Sequence, residues 1–284
     1  TGTTSNDNGD YVLALSKPGT YTIVFQFLGY QTQTNSIDIK QFPYKLNITL
    51  LEENISLNEV VIDANENPAN RIVRAAIKNR KSQLGKINSF SADFYSKGLI
   101  RIDSLPEKFM GRKIKADFGL DSTRSGIIYL SETISKIKYQ KPDKLTEKVI
   151  ASKVSGDSNG FSFNSALDVD YNFYNNTVKI NSAIISPISD YAFKYYRYKL
   201  EGVFYDDRGN LINKIKVIPR RQNDPVFSGS IYIVEDQWAL FGLELQVKGS
   251  QIQTPIADLI TIKQNLTYDE NEDHWVIRSQ TIGF

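Results

Sequence analysis

Trp238-Ala239-Leu240-Phe241-Gly242-Leu243-Glu244-Leu245-Gln246-Val247-Lys248 is the stretch on which the fold turns. Leu243, Leu245 and Val247 alternate with Glu244, Gln246 and Lys248. Period two is the spacing of a strand, whose successive side chains point to opposite faces of a sheet. Upstream, across Glu235-Asp236-Gln237, Phe227–Val234 reads as the preceding strand. Before it, Phe193–Tyr205 turns over Asp206-Asp207-Arg208-Gly209-Asn210 into Leu211–Ile218, and Pro219 ends that run. Downstream, Pro255–Tyr268 and His274–Phe284 make a hairpin over Asp269-Glu270-Asn271-Glu272-Asp273. Consecutive hairpins of this pattern predict an antiparallel meander with one apolar face.

The rest of the chain agrees with a mainly β, β-rich α+β protein. Tyr (16) and Phe (15) are abundant, and aromatic side chains favour a pleated, half-buried surface. Ser91–Ile102, Lys113–Phe118, Gly126–Tyr139 and Lys148–Val154 read as further strands, and Gly156–Asn176 as a loop with a short helix. At the other end, Tyr11–Ser16, Tyr21–Phe27 and Leu46–Leu50 alternate between turns at Asn6–Asp10 and Lys17-Pro18-Gly19, the spacing of a small sandwich. One helix interrupts the strands. Asn67 is positioned to cap it, Pro68 suits its first turn, and Ile72, Val73, Ala76 and Ile77 form its apolar stripe. With 284 residues, two cores are expected rather than one. The reading divides the chain into a sandwich at 1–63, a linker helix at 64–86 and a β-rich domain at 87–284.

Gly2-Thr3-Thr4-Ser5-Asn6-Asp7-Asn8-Gly9-Asp10-Tyr11, followed by Gly29-Tyr30, resembles the carboxypeptidase-regulatory-like domain, a transthyretin-like β-sandwich. The family's opening strands precede the Gly-Thr-Thr element, so the resemblance implies an N-terminally incomplete sandwich here with chain upstream of Thr1. Leu57-Asn58-Glu59-Val60-Val61-Ile62 is similar to the Leu-x-Glu-Val-Val segment that follows such domains in Gram-negative envelope proteins. A helix with Asn67-Pro68-Ala69-Asn70 comes next. That order, with Tyr171-Asn172-Phe173-Tyr174-Asn175-Asn176, Pro187, Tyr196 and Tyr198 beyond it, resembles a family joining a regulatory-like domain to an outer-membrane-associated domain of unknown function. The resemblance implies a place on the periplasmic side of the outer membrane. The closing meander is also similar, at the level of fold alone, to the half-barrel of lipoprotein carriers, which implies a lipid or other apolar ligand as a second reading.

Chemistry is constrained by what the chain lacks. It has no cysteine, which removes disulfides, thiolate zinc sites, iron–sulfur clusters and thiol catalysis. His274 is the only histidine. Zinc catalysis needs more such ligands and a serine triad needs that one residue, with no Gly-x-Ser-x-Gly element to serve it. Gly111-Arg112-Lys113 lacks the spacing of a phosphate loop. Carboxylate pairs remain for a hydrolase. Asp206-Asp207 and Glu235-Asp236 sit where aspartates ordinarily stabilise turns, while Asp168 and Asp170 would share one strand face. The acidic tip Asp269–Asp273 has oxygen ligands for Ca²⁺ but not the glycine or spacing of an EF-hand. Phe193, Tyr195, Tyr196 and Tyr198 suit a core more than a ligand groove. No catalytic residue, cofactor or metal is therefore assigned.

Charge gives a surface instead. Lys plus Arg is 34 against 32 Asp plus Glu, a net +2 that offers nucleic acid no global attraction. Yet Arg71, Arg74, Lys78, Arg80 and Lys81 cluster on the helix. They are expected as a patch for an envelope protein or an anionic membrane surface. The sequence thus reads as a non-catalytic envelope interaction or scaffold module. The alternatives are an apolar-ligand carrier and, last, a carboxylate hydrolase.

Overall fold

The computed structural model describes residues 3, 5, 9–25, 27, 30, 32–51, 67–102, 108–109, 112–113, 126–141, 144–155, 165–166, 169, 171–253, 258–270 and 273–283. In chain order the elements are β1 (Gly19–Phe25), β2 (Gln33–Ile39), α1 (Pro68–Lys86), β3 (Ser89–Ile102), β4 (Lys108–Phe109), β5 (Arg112–Lys113), β6 (Gly126–Gln140), β7 (Lys144–Ser155), β8 (Thr177–Ile180), β9 (Ser182–Ile185), α2 (Ala192–Tyr195), β10 (Tyr196–Tyr205), β11 (Leu211–Pro219), β12 (Ser228–Val234), β13 (Leu240–Lys248), a 3-10 turn (Gly249–Ile252), β14 (Leu259–Asp269) and β15 (His274–Gly283). By packing the chain divides into two compact units. Residues 87–170 form one, and 2–86 with 171–284 form the other. The fold is β-rich throughout, as the alternation of Leu243, Leu245 and Val247 predicts.

The larger unit is built on six antiparallel strands in sequence order, β10-β11-β12-β13-β14-β15. Register explains the alternation. Leu200, Ile215, Ile231, Leu243, Gln264 and Gln280 oppose one another in turn across the sheet. One step along, Lys216, Ser230, Glu244, Lys263 and Thr281 form the neighbouring row, on the other face. The first row belongs to the core, with Ile215, Ile231 and Leu243 at 0–1% exposure. Gln264 and Gln280 are its polar members, and Gln264 is the buried one. Its buried amide donates to the Tyr171 carbonyl at 2.7 Å and to the Gln280 side chain at 2.5 Å, which offsets the cost of its desolvation.

Helix α1 and residues 171–195 complete that core. Ala69, Ile72, Val73 and Ala76 are buried in one cluster with the sheet, as are Phe173, Ile184, Ile188 and Ala192. The stripe expected at Ile72, Val73 and Ala76 is found, with Ile77 packed at its margin. Asn67 caps as predicted, its Oδ1 accepting from the Ala69 amide at 3.0 Å, while its Nδ2 donates to the Tyr198 carbonyl at 2.9 Å. Tyrosine hydroxyls tie 171–195 to the sheet. Tyr174 accepts from the Leu240 amide at 2.8 Å, Tyr198 donates to the Pro187 carbonyl at 2.7 Å, and Tyr196 bridges the Ile185 carbonyl and the Phe227 amide. Burial holds all three phenols well above their ordinary pKa, so they stay neutral.

Three expectations need correction. The strand read as Phe193–Tyr205 begins at Tyr196, because Ala192–Tyr195 close a short helical turn first. No strand was expected at 177–185, yet β8 and β9 form a tight hairpin there, turned by Asn181 at φ 55°. Tyr11–Ser16 and Leu46–Leu50, expected as strands, show alternating exposure but pair in no ladder among the described residues. A pleat is a property of one segment, whereas a ladder needs two backbones in register. These two segments meet through side chains instead. The Tyr11 hydroxyl donates to the Leu46 carbonyl at 2.8 Å, and Gln33 Nε2, from β2, donates to the Thr49 carbonyl at 3.1 Å. Strands β1 and β2 pair antiparallel as a hairpin beside them.

The 87–170 unit is a three-stranded antiparallel sheet, ordered β3-β6-β7, with the small β4–β5 ladder. Its strands are 14, 15 and 12 residues long. One face is partly covered: Ser131, Thr133 and Ser135 are buried along its central strand, while Phe90 and Val149 on the flanking strands stay exposed. Glu147 anchors it, accepting from the Ser135 hydroxyl at 2.5 Å, the Ser165 hydroxyl at 2.8 Å and the Ala166 amide at 2.9 Å.

Candidate functional site

Helical spacing sorts the basic residues of α1. Arg71, Arg74, Lys78 and Lys81 are separated by three, four and three positions, which places them on one side of a 3.6-residue helix. Arg80 is four positions beyond Ala76 and seven beyond Val73, so it falls on the buried stripe. The structure confirms the arithmetic: Arg71, Arg74, Lys78 and Lys81 are exposed, whereas Arg80 is 3% exposed. Arg80 therefore leaves the expected patch, because its position on the helix points it into the core.

Arg80 Nη1 donates to the Tyr174 carbonyl at 2.8 Å and Nη2 lies 2.7 Å from Asp190 Oδ2. Asp190 also faces Asn176, whose Nδ2 donates to it at 3.3 Å. The Asn176 hydrogen bond, then Arg80 and Lys81, hold the Asp190 carboxyl below its ordinary range. Arg71 is partly committed as well. It lies 3.0 Å from Glu235 Oε1, and its guanidinium sits 5.6 Å from the Trp238 ring centre. Arg74 covers the ring of Phe193 at 5.1 Å. Lys78 and Lys81 project to solvent. The exposed row thus narrows to Arg74, Lys78 and Lys81.

The candidate carboxylates have other work. Asp206 accepts from the Arg208 amide at 3.0 Å and from the Asn210 amide and side chain at 2.8 Å each, which makes it the organiser of its turn. Glu235 is shared by Arg71 and by Asn213 Nδ2 at 2.7 Å. Asp273 accepts from the Tyr268 hydroxyl and lies 3.8 Å from Lys86; those two groups, in that order, hold its carboxyl low. Asp168 and Asp170 lie outside the described residues, as does the segment Leu57–Ile62. His274 opens β15 opposite Asp269 and is buried. Among the described residues no three His, Asp or Glu side chains converge as a cation site.

The core face of the meander, where a carrier would shelter its ligand, is filled by α1 and residues 171–195. Tyr196 and Tyr198 lie in that core rather than along a groove. On the other side Phe27, Tyr30, Phe204, Phe241, Tyr268 and Trp275 line a cleft of about 100 Å³, well under the roughly 300–1,000 Å³ of ordinary ligand pockets.

A second basic surface escaped the sequence reading. Lys97, Lys136, Lys138, Lys148 and Lys153 share the exposed face of β3-β6-β7. A bulge at Ile134/Ser135 leaves Ile150 unpaired on β7. It puts Lys148 and Lys153 on one face although they are five positions apart, which hides them from a period-two search.

The fold and its surfaces define a two-part β protein whose recognisable features are packing and charge. Residues 1–62 match the CarboxypepD_reg-like domain, a β-sandwich, in the order expected from the Gly2–Tyr11 motif. The chain belongs to a family of unknown function, DUF5686, whose model matches residues 72–284. That match begins inside α1, at the first residue of its buried Ile72-Val73 pair. No curated protein and no solved structure matches the chain.

Proposed function

We propose that the chain is a non-catalytic interaction module of the cell envelope, at the periplasmic side of the outer membrane, whose helix α1 docks an acidic envelope partner. One observation carries this reading. The same helix is buried at 0–1% exposure along Ala69, Ile72, Val73 and Ala76 while Arg74, Lys78 and Lys81 stand in solvent. A helix fixed to a six-stranded sheet presents its charges in a set geometry, and preorganised charge favours association rate and partner choice. The filled core face weighs against a carrier. The structural engagement of Asp206, Glu235 and Asp273 weighs against a hydrolase. The placement in the envelope rests on the resemblance of the Gly2–Tyr11 and Leu57–Ile62 motifs.

The test places a photo-crosslinking residue at Lys78 in the native host. It is expected to capture an envelope protein, and the variant Arg74→Glu/Lys78→Glu/Lys81→Glu should weaken that capture by roughly 10- to 100-fold, as loss of rim charges does. Undiminished capture by the triple variant, or recovery of the protein from the cytosolic fraction, would overturn the proposal.

A further inference from the structure

The exposed face of β3-β6-β7 has a composition and a layout that call for an anionic counterpart. Cross-strand pairing arranges it in rows. Lys97, Glu132 and Lys153 form one, Tyr95, Ile134 and Ala151 the next, Asp93, Lys136 and Lys148 a third, and Ser91, Lys138 and Thr146 a fourth. These four rows thus hold five lysines and two carboxylates, and both carboxylates are engaged. Asp93 lies 3.0 Å from Lys136 Nζ, and Glu132 accepts from the Tyr95 hydroxyl at 3.0 Å. Lys136 and Lys148 stand directly opposite each other, an arrangement in which like charges destabilise the pair. Between the charged rows, Tyr95 is 44% and Ile134 50% exposed.

We infer that this face lies on an anionic lipid bilayer. Four observations support a bilayer over a groove-bound partner. The lysines lie on all three strands, in rows from position 132 to position 138 of β6, a stretch of roughly 20 Å at about 3.3 Å per residue. They are dispersed over a broad sheet face, as an extended planar counterion requires. Their long stems let ammonium groups reach headgroups while the backbone stays above them. The central apolar row offers Tyr95, an amphipathic ring suited to the interfacial zone, and Ile134 beside it. Anionic headgroups would also relieve the Lys136–Lys148 repulsion. The inference is independent of the helix α1 row, which lies in the other unit.

The experiment uses the 284-residue chain and co-sedimentation with phosphatidylcholine vesicles, with and without phosphatidylglycerol. Binding is expected only with the anionic lipid and should fall as salt is raised. Each lysine near such a surface contributes a factor of about five, so Lys97→Gln/Lys138→Gln/Lys148→Gln/Lys153→Gln should lower partitioning by more than about 100-fold. The matching set of Lys→Arg changes should retain binding. Lys148→Gln alone should bind about five-fold more weakly while melting no lower than the parent, since it removes a repulsion. That single variant answers the question even if the fourfold one fails to fold. Three results would overturn the inference: equal binding to neutral vesicles, undiminished binding by folded glutamine variants, or tighter binding to single-stranded RNA than to vesicles. Loss of vesicle binding on charge reversal at Arg74, Lys78 and Lys81, with the sheet lysines intact, would move the membrane contact to α1 and likewise sink it.

Discussion

Arg80 turns its charge inward, and its surroundings say what that costs. Its side chain is 4% exposed while that of Asp190 is 49% exposed, and its Nε has no hydrogen-bond partner among the described residues. Removing the carboxylate leaves a buried guanidinium with one carbonyl for company. Breaking a buried pair costs about 3–5 kcal/mol, and the half-exposed partner here reduces that, so Asp190→Asn should lower the unfolding free energy by roughly 1–2 kcal/mol at neutral pH. Urea denaturation reads the difference. Its pH dependence has a definite sign. The folded carboxyl lies below its ordinary 3.8, so its contribution is complete above about pH 4 and fades as pH falls through the lowered folded value. Parent and variant should therefore converge in acid; a gap that widens below pH 4 would refute the assignment. This residue was legible. Its spacing from Val73 and Ala76 puts it on the buried stripe, but residue type, which favours the surface for arginine, argued the other way. The Asn176–Asp190 contact that receives it spans fourteen positions of turn-rich chain and has no period to betray it.

Strands were read well where alternation is uninterrupted and poorly where a single residue breaks it. The hairpins from β10 to β15 follow from Leu, Ile and Val recurring at every second position. The β8–β9 hairpin was missed although Thr177-Val178-Lys179-Ile180 and Ser182-Ala183-Ile184-Ile185 flank Asn181 symmetrically, because four-residue strands hold too few alternations to stand out. Gly229 shows how strictly one strand can depend on one position. It lies in β12 at φ 136°, between Val217 and Leu245. A Cβ there would sit 2.1 Å from the Glu244 carbonyl oxygen and 3.0 Å from the Leu245 Cα. Both obstacles are backbone, so relief requires parting β12 from β13. Gly229→Ala should cost about 3 kcal/mol or more, combining a disfavoured φ with overpacking. A variant melting within a degree or two of the parent would show that the ladder yields more easily than its register suggests.

The whole chain joins units of unequal depth. Residues 196–268 surround the main core, whereas β3, β6 and β7 carry exposed Phe90, Tyr95, Ile134, Val149 and Ile150. Local stability follows buried apolar contact. Amides of β3, β6 and β7 are therefore expected to exchange with deuterium markedly faster than those of 211–247, in two separable unfolding steps rather than one; simultaneous exchange would mean a single cooperative block. The division into these units was not legible, since both are strand-rich and alternation carries no label for which core a strand joins. The partnership of Asn67 with Tyr198 spans 131 positions, with the 87–170 unit threaded between. Closing so long a loop is entropically expensive before any contact compensates it. The meander can zip from one short hairpin to the next, but α1, made early, has no sheet to rest on until β10 exists. Assembly therefore has an order written into connectivity: the charged helix has no sheet against which to bury Ile72 and Val73 until the last third of the chain arrives.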